Sequence, residues 1–157
     1  MNKKLKYALL IILVIIVLIQ FIPLDRSNPP VTSEIQAPPE VMKILKNSCY
    51  DCHSNETRWP VYSHIAPVSW LVVSDVHEAR EEMNFSEWGQ IKPGKQLKHL
   101  EEIVEETEEG DMPLPIYLIM HSGARLAADD LATLKTWADE MGALKKNGDS
   151  EEEDEEE

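Results

Sequence analysis

The sequence predicts a small all-α domain carried behind one membrane-spanning helix. Two observations lead to this. The N-terminal run 7–24 is apolar, interrupted only by Gln20 and Pro23. In the middle of the chain, apolar residues recur at three- and four-residue spacing, the period of a helix with one buried face. Alternating runs of the strand type are hard to find there, and β-branched residues concentrate in the N-terminal run.

The apolar run is close to the ~20 residues a helix needs to cross a bilayer. Lys3, Lys4 and Lys6 precede it. Positive charge stays on the cytoplasmic side, so the rest of the chain is expected outside the cytoplasm. A cleaved signal peptide would have a shorter apolar region and a small-residue cleavage site. Here Pro23-Leu24-Asp25-Arg26 follows instead. Residues 1–24 are therefore expected to be an uncleaved, single-pass anchor.

Residues 25–37 hold Pro29-Pro30, Ser27, Thr32 and Ser33, the composition of a linker. A folded domain is expected over 38–143. Its first helix starts at Pro38-Pro39, because proline is tolerated in a first helical turn. Val41, Ile44, Leu45 and Ser48 form its inner face. Residues 54–66 read as a loop, and Pro67 can open a second helix with an apolar face of Val68, Leu71, Val72, Val76, Ala79 and Met83. Phe85 and Trp88 follow in a turn ending at Gly89. A third helix over about 94–108 turns Leu97, Leu100, Ile103 and Val104 inward, and Gly110 stops it. Pro113 and Pro115 keep the next stretch from being helical. A last helix, about 129–141, carries Leu131, Leu134, Trp137, Ala138 and Met141, with Asp129 and Asp130 at its positive end. The remainder, 144–157, is almost wholly acidic after Lys145 and Lys146 and is expected to be a disordered tail.

The net charge is −14, from 15 basic and 29 acidic residues. Outside the tail and the leading lysines, 21 acids still face 12 bases. Such a chain does not seek nucleic acid. A partner with a basic docking face is the expected kind.

Cys49 and Cys52 are the two cysteines, and both fall in Cys49-Tyr50-Asp51-Cys52-His53. This is the C-x-x-C-H spacing of c-type haem attachment. Two thiols three residues apart at a helix end can reach the two vinyl groups of one porphyrin, and the next residue's imidazole can bind the iron. A thioredoxin-like pair would sit in a βαβ setting, which is absent from the pattern. A zinc finger spaces its histidines by about three to five residues, whereas His64 and His77 are thirteen apart.

The region around this motif resembles the bacterial haem-binding domain family built on a single C-x-x-C-H. The resemblance is carried by Cys49 to Pro60 (CYDCHSNETRWP), by Ile65-Ala66-Pro67-Val68-Ser69-Trp70-Leu71 and by Asn84-Phe85-Ser86-Glu87-Trp88. It returns at Met112-Pro113 and Tyr117-Leu118-Ile119-Met120-His121. It implies a cytochrome c-like helical domain around one covalent haem c; with the anchor, the expected place is a bacterial cytoplasmic membrane with the domain on the periplasmic or extracytoplasmic side.

The expected iron ligands are His53 and, in a proline-stiffened loop before the last helix, Met112. His121 is the next candidate. Met83 and Met120 fit apolar faces. His77 and His99 lie among Glu and Lys and are expected on the surface. Arg58 and Trp59, with Tyr62, offer donors suited to haem propionates. No catalytic residue is assigned. The expected role is a tethered one-electron carrier serving a redox protein partner, not an enzyme. The alternatives are a sensor or peroxidase-like enzyme with an open sixth site, and an assembly module in which haem is structural.

Overall fold

A computed structural model describes residues 2–144; the acidic tail expected over 144–157 lies, but for Leu144, outside the described residues. Seven α-helices follow in order: α1 Lys3–Leu18, α2 Pro39–Ser48, α3 Tyr50–His53, α4 Val68–Glu82, α5 Pro93–Glu109, α6 Pro115–Met120 and α7 Ala128–Glu140. Short 3-10 turns lie at Ile19–Phe21, Val61–His64, Phe85–Gln90 and Ser122–Ala124. Among the described residues there is no strand. The expectation of a small helical domain behind one apolar N-terminal helix holds.

Helix α1 and its terminal turn, Lys3–Phe21, have a mean hydropathy of 2.3 over the most apolar window, and none of that window is buried by protein. An apolar helix with no protein cover is stable only with lipid around it, so this is a membrane-spanning helix.

The domain core joins α2, α5 and α7. Val41, Ile44 and Leu45 of α2 meet Leu100, Ile103 and Val104 of α5, and Leu134, Trp137 and Ala138 of α7. Phe85, fully buried, stacks on Tyr50 with ring centroids 5.4 Å apart and leans on Trp88. Helix α5 stops at Gly110, whose φ of +84° is the left-handed turn that glycine adopts without strain. At the start of α7, Ala127 N donates to Asp130 Oδ2 at 2.9 Å, which ties the first turn.

Two sequence expectations about buried faces are corrected. Helix α4 buries Ser69, Val73 and Val76, while Val68 and Leu71 are each 46 % exposed. The inward face of α4 runs through Ser69, Val73 and Val76 at i, i+4 and i+7, which leaves Val68 and Leu71 off that face and turned outward. Leu97, Met120 and Met141 are likewise exposed. Residues 111–114 are non-helical, as the prolines lead one to expect, and Pro115 then opens α6, a helix of which the sequence pattern gave no sign.

The stretch 25–37 was expected to be a spacer. In the fold it lies along the domain and is tied to it. Arg26 Nε donates to Ser63 O at 2.7 Å and Asn28 Nδ2 to Thr57 O at 2.9 Å. Arg80 donates to Ser27 O and Asn28 Oδ1. Thr32 N and Ser33 N both donate to Ser86 O, Ile35 N to Phe85 O at 2.8 Å, and Gly89 N to Ser33 O. Ile35 itself is in the core, 2 % exposed. A Cβ on Gly89 would overlap Ser33 Oγ. The Ser33 hydroxyl can turn to another rotamer and Ser33 Cβ need give only slightly, so Gly89→Ala should cost under ~1 kcal/mol. Urea unfolding measures the cost, and a larger one with selectively faster hydrogen exchange at Ile35 N–H would show that the strap cannot yield.

Candidate functional site

The site begins with a single turn of helix. Cys52 N and His53 N both donate to Cys49 O, at 3.1 and 2.9 Å. That turn puts Cys49, Cys52 and His53 on one side, at i, i+3 and i+4. Tyr50 points away into the core and holds the turn through Phe85.

All three side chains line one cavity of about 730 Å³. Cofactor pockets run from ~300 to ~1,000 Å³, so the space suits a large planar ligand. Ala79 and Met83 form part of the wall from the end of α4, and Phe85, Ile103 and Leu114 add apolar surface. Met112 lines the same cavity. Its backbone N–H donates to Glu106 O at 3.0 Å, as does that of Asp111, so the Gly110 turn fixes where Met112 starts.

His53 is placed by two acceptors. Its Nδ1 lies 3.1 Å from Ala79 O and 3.2 Å from Met83 O. Carbonyls can only accept, so Nδ1 carries the proton and Nε2 keeps a lone pair. Burial holds the His53 pKa below its ordinary value, which favours the neutral ring. Metal-ligating histidines show this arrangement, with the far nitrogen donating to a carbonyl.

Burial pushes the Cys49 thiol up to about 12 and the Cys52 thiol up to about 11. Neutral thiols are poor nucleophiles. In the folded chain with no group bound in the cavity, both should alkylate slowly at pH 8 and fast in urea; equal rates would show an open site.

Asp51 also lines the cavity and gathers a small network. Tyr117 Oη donates to its Oδ2 at 2.9 Å, and Arg58 Nε to its Oδ1 at 3.2 Å. Burial, and then Asp51, push the Tyr117 pKa up, so its hydroxyl stays a donor. Arg58 does not itself line the cavity; its side chain is 75 % exposed and reaches the site through Asp51. Trp59 does not line it either: Trp59 Nε1 donates to Asn28 Oδ1, and Arg80 lies over its ring at 6.0 Å. It serves the strap. Tyr62 Oη is 3.2 Å from His121 Nδ1, and His121 stacks on Tyr117 at 4.2 Å, outside the cavity lining.

His99, expected on the surface, is 1 % exposed and part of the cavity wall. It stands at i, i+4 and i+8 with the buried Ile103 and Thr107. That spacing was readable; the flanking charges obscured it. Its Nδ1 bonds Glu102 Oε2 at 2.9 Å, while Nε2 is buried with no partner.

The charge around the cavity has one sign. Asp75, Glu78 and Glu82 come from α4, and Glu102, Glu105 and Glu106 from α5; among the described residues no Lys or Arg lines it.

A helical domain that turns two thiols, a lone-pair imidazole and a thioether into one apolar-walled cavity is built to hold a prosthetic group. A family model described as a haem-binding domain matches residues 14–140, most of the chain. The chain belongs to that haem-binding domain family, and it is a membrane-associated member, with one N-terminal spanning helix. No curated protein and no solved structure matches it.

Proposed function

We propose that this domain carries one haem c, attached through Cys49 and Cys52, and works as a membrane-tethered one-electron carrier. The observation that carries the reading is His53: its Nδ1 is held by Ala79 O and Met83 O, so its Nε2 lone pair is free for iron in the same cavity that both thiols line. The donor set fits the group. Each thiol would add S–H across one vinyl group, forming an S–C and a C–H bond and reducing the vinyl double bond to a single one. His53 and Met112, a soft neutral donor lining the cavity, would hold its iron. Bound haem would supply exchange of single electrons between its ferrous and ferric forms.

The chain's own residues do the rest. The α4 carbonyls orient His53, and Phe85, Ile103 and Leu114 keep the cavity apolar. Arg58 and Tyr117 hold the Asp51 carboxylate at the cavity edge. The carboxylates of α4 and α5 favour a redox partner with a basic face and a weak, salt-sensitive encounter. The lysines before α1 favour an extracytoplasmic domain. Gln20 hydrogen-bonds the folded domain, which speaks for an anchor that stays attached. The reading is tested by the pyridine haemochrome spectrum of the purified full chain. One haem per chain with a c-type spectrum is expected, and a spectrum of unsaturated, extractable haem would overturn it.

A further inference from the structure

Two groups of apolar side chains are left uncovered by the domain: Ile116, Ile119 and Met120 on α6, and a second group where the chain leaves the membrane. Gln20 lies in the last turn of the spanning segment. Its carboxamide takes both backbone groups of one residue: Ala66 N donates to Oε1 at 3.0 Å, and Nε2 donates to Ala66 O at 3.2 Å. This two-point contact holds the corner formed by the Val61–His64 turn and the start of α4 against the end of α1.

On that corner Val61 is 80 % exposed, Ile65 53 %, and Val68 and Leu71 46 % each. Trp70, in the first turn of α4, is also exposed. Ser69 N donates to Ile65 O, which brings Ile65 over that turn, and Val68 and Leu71 share a face by i, i+3 spacing. Residues 59–74 contain no Asp, Glu, Lys or Arg, in a chain that is 28 % charged. Phe21 and Ile22, exposed beside Gln20, continue the apolar surface from the anchor.

We infer that this corner, with Val61, Ile65, Val68, Trp70 and Leu71, seats the domain in the interfacial layer of the bilayer that α1 crosses. The occupant is lipid because the corner is continuous with the spanning helix: a group clasped to its last turn is already at the lipid boundary. Apolar side chains there leave water on contact with acyl chains; the stretch 59–74 brings no charge of its own, and Arg26, bonded to Ser63 O, is a cation suited to the headgroup layer. Tryptophan is favoured at that depth, with its ring in the apolar layer and its N–H toward the headgroups. The carboxylate-lined stretch of α4, Asp75 to Glu82, lies further along the same helix. The inference rests on the anchor and stands whatever the haem does.

The test is photolabelling of the full chain in phosphatidylcholine bilayers doped with a lipid carrying a diazirine near the glycerol backbone. Peptides spanning 59–74 should take up label severalfold above the α7 peptide. The variant Ile65→Asp/Leu71→Asp should bring that label down to the α7 level and leave anchor labelling unchanged. Hydrogen exchange in α5 and α7 checks that the variant is folded. Gln20→Leu, which leaves the domain surface untouched, should lower the label on 59–74 as well. Wild-type label on 59–74 no greater than on α7 overturns the proposal, and chemical cross-linking in the same bilayers then tells a corner covered by a second copy from one left in water.

Discussion

Replacing both Cys49 and Cys52 by Ala should abolish covalent haem while leaving the chain in the membrane. The two thiols lie one helical turn apart on one side of α3 and face the same cavity. Each single variant should retain one linkage at most and lose haem on denaturation more readily than the wild type. Acid–acetone extraction followed by the mass of the intact chain measures this directly. A double variant that still carries haem through extraction would remove the thiols from the attachment and with them the c-type reading. The variant also tests how much the group stabilises the fold. The cavity is large for a domain of about a hundred residues, and a cofactor filling it would be a substantial part of the core. The double variant should therefore unfold at markedly lower urea concentration.

The second large effect is expected at Met112. Met112→Ala should vacate one axial position, lower the reduction potential and let carbon monoxide bind readily. Axial ligand choice spans about 0.8 V across haem proteins, so a fall of at least ~0.1 V is the expected scale. The oxidised wild type should show the weak far-red sulfur-to-iron charge-transfer band, and the variant should lose it. An unchanged spectrum and potential would reduce Met112 to a wall residue. His99 would then be the next residue to substitute, since it is the histidine besides His53 that lines the cavity. Rapid carbon monoxide binding by the wild type would instead favour the open-site sensor or peroxidase alternative.

Helices α2, α4, α5 and α7, though not the short α6, were legible because their boundaries rest on local chemistry. Pro39 and Pro93 open α2 and α5, Gly110 closes α5, and Asp130 ties the start of α7. The thiols and His53 were legible because one helical turn relates them. What the sequence hid is set by distant partners. The Nδ1 acceptors of His53 lie 26 and 30 residues away on the end of α4, and nothing in their side chains marks two carbonyls. The link from Arg58 through Asp51 to Tyr117 joins residues 66 apart. Trp59 suggested a cavity donor by its chemistry, yet its partner is Asn28 of a segment that composition marked as slack. Composition registered the prolines of 25–37 but not the backbone bonds that Ser86 O and Phe85 O receive from it.

A slack connection of thirteen residues would let the domain roam by roughly 20 Å, from a root-mean-square reach of ~5–6 Å times the square root of the residue number. The segment from Gln20 to Ile35 spends that freedom on hydrogen bonds to Ala66, Ser63, Thr57 and Ser86. The domain then travels with its helix as one piece, at one height above the lipid and one tilt. If the redox partner proposed above is itself membrane-bound, its encounters with the domain become a search in two dimensions, by lateral diffusion and rotation about a single axis. Inserting a flexible Gly-Ser stretch after Ile22 would restore the third dimension. It would widen the set of partners within reach while lowering the fraction of encounters that begin in the right orientation.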